Sequence, residues 1–125
     1  MNRVAISVLA GLLAFGSPLP ARALECNGTE PFWSLKIGGG KIVLDQSDRG
    51  PRRLQTVAPR AAQGRPPDLV RVYQTRTLGA IRQYVTIVIR RAEHDSCSDG
   101  MSDVRYPYHA VVVEPGAVLE GCCKW

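Results

Sequence analysis

Four cysteines, two of them adjacent, constrain this chain more than any other feature: Cys26, Cys97, Cys122 and Cys123. An even count fits a disulfide framework in a chain that works in an oxidising compartment. A structural zinc site needs paired ligands at spacings such as Cys-x-x-Cys, and the close pair here has no residue between its members. Four cysteines allow three pairings. Neighbouring side chains on a strand point to opposite faces, so Cys122 and Cys123 are expected to serve two different partners. A bond between the two is the least favoured pairing.

The compartment is written in the first residues. Arg3 is a short positive region, and Val4 to Gly16 is almost wholly apolar, with Ser7 its only polar side chain. Pro18, Pro20 and the triplet Ala21-Arg22-Ala23 follow. This is the layout of a secretory signal peptide with an Ala-x-Ala cleavage site. The apolar run is ~13 residues, short of the ~20 that span a bilayer as a helix. Glu25 precedes Cys26, where a lipid-anchoring motif needs a small residue. The expectation is a signal peptide over 1–23, then one β-rich domain with two disulfides over 24–125. Its place is periplasmic or secreted, with no integral membrane segment in the mature chain. Removing Arg3 and Arg22 leaves 14 basic and 11 acidic residues and a formal charge of +3. That balance does not suit a nucleic-acid binder. A core this small gains from covalent ties.

Along the mature chain the hydrophobic period is two. Trp33, Leu35 and Ile37 share a face, Gly38-Gly39-Gly40 turns the chain, and Lys41 to Leu44 returns, which reads as a hairpin. Residues 45–68 are irregular, with four prolines and Arg49, Arg52, Arg53, Arg60 and Arg65; a weak strand is expected over Arg53 to Ala58. Leu69 to Leu78 alternates. Arg82 to Arg91 is the clearest strand, with Ile81, Val85, Ile87 and Ile89 on one face and β-branched residues dominant. Tyr108 to Val113 and Val118 to Cys123 flank Pro115-Gly116, which suits a type II turn. That turn sets Val112 opposite Leu119 and His109 opposite Cys122. No helical period appears. The fold class expected is all-β: a small antiparallel meander closing into a barrel-like or sandwich domain, since open edges invite aggregation.

Two segments stand out: Cys26-Asn27-Gly28-Thr29-Glu30-Pro31-Phe32-Trp33, and Cys97-Ser98-Asp99-Gly100-Met101-Ser102-Asp103 followed by Tyr106-Pro107-Tyr108. With the late Gly121-Cys122-Cys123, they resemble a family of small bacterial envelope proteins, secreted or lipid-anchored and of uncharacterised role. Its members carry a GxEPFW stretch, a CSDGMSD-x-x-YPY stretch and a terminal GC or GCC. The resemblance covers both ends of the mature chain and does not reach residues 45–68. The lipidated cysteine of the anchored members is missing here. Members with a single late GC imply that Cys97 pairs with Cys122, which leaves Cys26 for Cys123.

These motifs supply the candidate ligand-binding residues: Glu30, Trp33, Asp99, Met101, Asp103, Tyr106 and Tyr108, with Glu30, Asp103 and the tyrosines lining a pocket at a barrel mouth. The competing reading is structural. Asp, Ser and Gly favour turns, Met101 plugs the barrel end, Glu30 accepts backbone N–H groups or pairs with Arg105, and Trp33 packs in the core. Asp95, Asp99 and Asp103 near His94 lack the ligand alternation of a calcium loop, and no metal or cofactor is expected. With only His94 and His109 available, a Ser-His-Asp site has few options, so no catalytic residue is assigned. The arginine-rich loop could meet anionic envelope material. The leading expectation is a monomeric, non-enzymatic envelope protein that binds a small ligand or a protein partner. The alternatives are a structural or envelope-stress factor without a ligand, a lysozyme-inhibitor-like protein, and an enzyme with a minimal carboxylate site such as Glu30 with Asp103.

Overall fold

Strict in–out alternation over short segments leaves the chain one economical solution, a sheet curled around its own apolar face. The computed structural model describes residues 10–17 and 22–125. Its strands are β1 (Leu24–Thr29), β2 (Phe32–Gly38), β3 (Lys41–Gln46), β4 (Gly50–Leu54), β5 (Arg60–Ala61), β6 (Val70–Arg76), β7 (Tyr84–Arg91), β8 (Cys97–Ser98), β9 (Arg105–Tyr106), β10 (Tyr108–Glu114) and β11 (Ala117–Lys124). Among the described residues the only helical element is a 3-10 turn at Glu93–Asp95. Residues 1–9 and 18–21 of the expected leader lie outside the described residues; Leu12, Leu13 and Phe15 within it are exposed.

Nine strands form one antiparallel sheet in the order β4-β3-β2-β1-β11-β10-β7-β6-β5. This is the expected meander, with the first strand paired to the last. The sheet then curls until its ends touch. Leu54 bridges Thr77, Gln55 N–H donates to the Arg76 carbonyl at 2.8 Å, and Leu78 N–H donates to the Arg53 carbonyl at 3.1 Å. The segment 50–61 thus pairs with β3 through its first half and with β6 through its second. This explains why the strand expected over Arg53 to Ala58 is replaced by β4 and β5. The chain crosses from one neighbour to the other there, and Pro59 has no N–H for a ladder.

The registers follow the turns. Gly39 and Gly40 (φ 61° and 73°) close the β2–β3 hairpin, as a two-residue turn with two positive φ values requires. Pro115-Gly116 closes β10–β11, with Val112 opposite Leu119 and His109 opposite Cys122 as expected. Ile81 departs from expectation. It lies before β7 and is 79% exposed. Thr77 holds residues 77–83 as a separate loop, its hydroxyl donating to the Ile81 carbonyl and accepting from Gln83 N–H.

The inward residues fill the interior. Leu24, Leu35, Ile42, Leu44, Leu54, Val85, Ile87, Ile89, Ala110, Val112 and Leu119 are buried, with Trp33, Tyr73 and Tyr108 as the large aromatic members. Burying each large aliphatic contributes about 1.5–3 kcal/mol. The interior becomes polar at one end. Glu114, whose side chain is 1% exposed, takes a 2.8 Å ion pair from Arg52 Nη2, and Arg52 also donates to Gln46. The expected plugging role of Met101 is not realised. Met101 lies outside the wall, 67% exposed, because the 92–107 connection folds over the outer face of β11.

Both disulfides are formed, Cys26–Cys123 and Cys97–Cys122. Cys26 and Cys123 face each other across β1–β11 inside the barrel. Cys122 points outward and ties down the connection through Cys97, in a small cluster with Ala92 and Tyr106. Structural disulfides of this kind belong to an oxidising environment. Among the described residues no helix is long and apolar enough to cross a membrane.

The ties close loops of different length, 97 and 25 residues apart in sequence. Loop entropy sets their contributions at about 4.7 and about 3.5 kcal/mol respectively. Urea unfolding should therefore show Cys26→Ala/Cys123→Ala destabilised by about 1 kcal/mol more than Cys97→Ala/Cys122→Ala. Equal losses would mean that chain entropy is not the main contribution.

Candidate functional site

The two motif segments, far apart in sequence, meet at the β1–β2 turn beside β11. The connecting element is the 92–107 flap, held by Cys97–Cys122. Thr29 Oγ1 donates to the Asp99 carbonyl at 3.1 Å across 70 residues of sequence. Between the β1–β2 turn, the Val118–Gly121 stretch of β11 and Ser98-Asp99 of the flap lies a cleft of about 370 Å³.

Trp33 forms its floor. The indole is 4% exposed, and its Nε1–H donates to the Glu120 carbonyl at 3.1 Å. Two glycines make room for it. Gly28 stands opposite Trp33 in the β1–β2 register, and Gly121 lies on the neighbouring strand. A Cβ on Gly28 would lie 2.5 Å from the Glu120 carbonyl oxygen and inside the indole nitrogen's contact distance. A Cβ on Gly121 would lie 2.8 Å from the indole Cζ2 and overlap the Asn27 carbonyl. Gly28, Trp33 and Gly121 thus share one structural role, the seating of this ring against two bare backbones.

Asp99 organises the flap. Its Oδ1 accepts from Met101 N–H at 2.9 Å and from Ser102 N–H at 3.2 Å, and its Oδ2 accepts from the Tyr106 hydroxyl at 3.3 Å. The Met101 N–H, foremost, holds the Asp99 carboxyl below its ordinary pKa, against a smaller opposing effect of burial. The Ser102 N–H and the Tyr106 and Ser102 hydroxyls add to the lowering.

The structure brings Glu30, Trp33 and Asp99 to one cleft and sets Tyr106 behind Asp99. Met101 and Asp103 are exposed on the flap and do not line the cleft. The carboxylate pair Glu30 and Asp103 therefore does not share this cavity. Tyr108 belongs to another place. Its ring packs edge-on against Trp125 at 6.5 Å, and its hydroxyl accepts from Trp125 Nε1 at 3.2 Å. Glu30 is exposed and forms no ion pair with Arg105 or any other residue among the described residues. No group of three or more His, Cys, Asp or Glu side chains is placed to hold a metal among the described residues, so Asp95, Asp99, Asp103 and His94 do not assemble into a site.

Sequence reasoning missed Thr29, Ser98 and Glu120 as lining residues. Thr29 and Ser98 sit inside the motifs and were within reach. Glu120 carries no signal of its own, because only the β1–β11 pairing brings it beside Gly28. Three acidic residues, Glu30, Asp99 and Glu120, and no basic residue are among those lining the cleft, with the Asp99 carboxylate itself engaged by the flap amides and the Tyr106 hydroxyl. Such a wall accepts hydrogen bonds and favours cations. Larger hollows exist on the opposite wall, away from both motifs. The chain matches no family model, no curated protein and no solved structure.

Replacing Gly121 by Ala should destabilise the protein by about 1–3 kcal/mol in urea unfolding, as overpacking does; an unchanged midpoint would show that Trp33 is not held this way. Asp99, with its pKa lowered in the folded state, stabilises the flap above the ordinary carboxylate range. That contribution is lost as pH falls through the lowered value. NMR titration of the Met101 and Ser102 amides should show a midpoint below the ordinary Asp value of about 3.9, and Asp99→Asn should abolish it.

Proposed function

We propose that this is an exported, non-enzymatic envelope protein, periplasmic or secreted, that uses the acidic cleft to hold a cationic group of a small ligand or a protein partner. The observation that carries this reading is the cleft wall. Glu30, Asp99 and Glu120 line about 370 Å³ with no arginine or lysine among the lining residues. Charges of one sign around a concavity raise the local concentration of the opposite sign. Trp33 and the two glycines fix the floor, and the Cys97–Cys122 tie fixes the flap, so the walls are organised before a ligand arrives. An ammonium or guanidinium group matches acceptors arranged this way.

Neither histidine lines the cleft. The lining hydroxyl of Thr29 is engaged with the Asp99 carbonyl, and the thiols are joined as disulfides. Binding is therefore the chemistry these walls support best. The lysozyme-inhibitor-like reading is the protein-partner form of the same idea, in which a basic side chain of the partner enters the cleft.

Isothermal titration with a polyamine, and with a short arginine-rich peptide, tests the proposal. Binding should weaken as salt rises. Glu30→Gln/Glu120→Gln should lower affinity on the order of ten-fold or more, the effect of losing charge-assisted hydrogen bonds, with an unchanged unfolding midpoint. A lysozyme activity assay with the same proteins separates partner from small ligand. Equal affinity of the variant and the parent for both probes sinks the cleft as the site.

A further inference from the structure

Charge is divided along this chain in a way that matters only once the barrel closes. Residues 49–91 hold ten arginines and a single acid, Asp68, while the rest of 24–125 holds four basic and ten acidic residues. The basic stretch builds β4, β5, β6 and β7. In an open sheet β4 would stand at one edge, far from β6 and β7. The Leu54–Thr77 bridge makes them neighbours, so one side of the barrel is arginine-rich. The acidic cleft lies beside β1 and β11, on the opposite side.

The basic side also bears an exposed apolar loop. Leu78 is 53% exposed, Ile81 79% and Tyr84 76%. Arg53 and Arg82 are exposed beside them, and Arg76 is partly buried. The three make no ion pair among the described residues; the pairs formed by arginines on this stretch involve Arg49, Arg52 and Arg91. Two hollows flank the loop. One of about 580 Å³ lies between Arg76, Arg82 and Tyr84, and one of about 600 Å³ between Arg53, Leu78 and Ile81. No carboxylate lines either. Gln55 accepts from Arg76 Nε at 2.9 Å and so steadies that guanidinium.

We propose that this side is a docking surface for an anionic phospholipid bilayer. Leu78 and Ile81 enter the interface, Tyr84 lies at headgroup level, and Arg53, Arg76 and Arg82 hold phosphates in the two hollows. Charge complementarity favours any polyanion, but a soluble one offers nothing to the aliphatic tips. A bilayer satisfies both sets of groups at once, as aromatic and basic residues around an apolar wedge do at membrane surfaces. Docked this way, the molecule turns its acidic cleft away from the lipid. The proposal does not rest on the cleft having a ligand.

Vesicle co-sedimentation tests it, using phosphatidylcholine alone and phosphatidylcholine mixed with phosphatidylglycerol. All proteins carry the same N-terminus, so that segment contributes equally. Binding should require phosphatidylglycerol and be reversed by high salt. Arg53→Gln/Arg82→Gln should weaken it on the order of twenty-fold, from about five-fold per surface cation. Ile81→Ser, at an exposed position, should weaken vesicle binding roughly five-fold and leave binding to soluble polyphosphate unchanged. Equal binding to neutral vesicles overturns the proposal. So does an Ile81→Ser variant that binds anionic vesicles as the parent does, which would reduce the surface to a plain polyanion contact.

Discussion

Strand β11 carries Cys122 and Cys123 on opposite faces, and the rest of the architecture is arranged around that fact. The inward sulfur joins β1 and fixes the seam where the first and last strands meet. The outward sulfur pins the 92–107 connection to the same strand. One residue earlier, Gly121 leaves the backbone bare so that the Trp33 indole can seat against it. Three successive residues therefore fix the seam, the flap and the floor of the cleft. A shift of one position in the β1–β11 register would exchange the two faces and disconnect all three.

Much of this was legible because it depends on neighbours in sequence. Period-two alternation marked β2, β3, β7, β10 and β11, and Pro115-Gly116 fixed the β10–β11 register. The opposite-face argument required different partners for Cys122 and Cys123, and family resemblance supplied which. What stayed hidden depends on closure. Nothing in residues 53–58 says that the chain changes neighbour there, since both halves of that exchange are tertiary. Ile81 continues the alternation of β7 in sequence, yet the Thr77 hydroxyl, donating to the Ile81 carbonyl and accepting from Gln83 N–H, holds it in a loop. Met101 sits in a motif, but the direction of the flap, outside the wall, follows from the Cys97–Cys122 tie. Of the candidate residues, Glu30, Trp33 and Asp99 meet because both motifs flank β11, whereas Tyr108 is carried by alternation into the barrel interior.

The interior is not uniformly apolar. The buried Glu114 carboxylate and the partly exposed Arg52 close one end as an ion pair, with Gln46 beside them. Replacing such a pair by apolar residues often leaves stability unchanged or raised, but removing one partner leaves an uncompensated charge. Arg52 is thus an inward-facing member of the arginine-rich stretch, paired with Glu114, while its neighbour Arg53 faces outward. Alternation along a single strand separates a structural cation from a surface one.

The pairing of β1 with β11 has a consequence for how the molecule comes into being. Glu25 stands opposite Lys124, so the ring cannot shut until the chain has been made as far as β11. Both covalent ties wait on the same late residues. A chain that stops short of β11 has hairpins but no finished enclosure, and a protein cut short before Cys122 would lose both cross-links together.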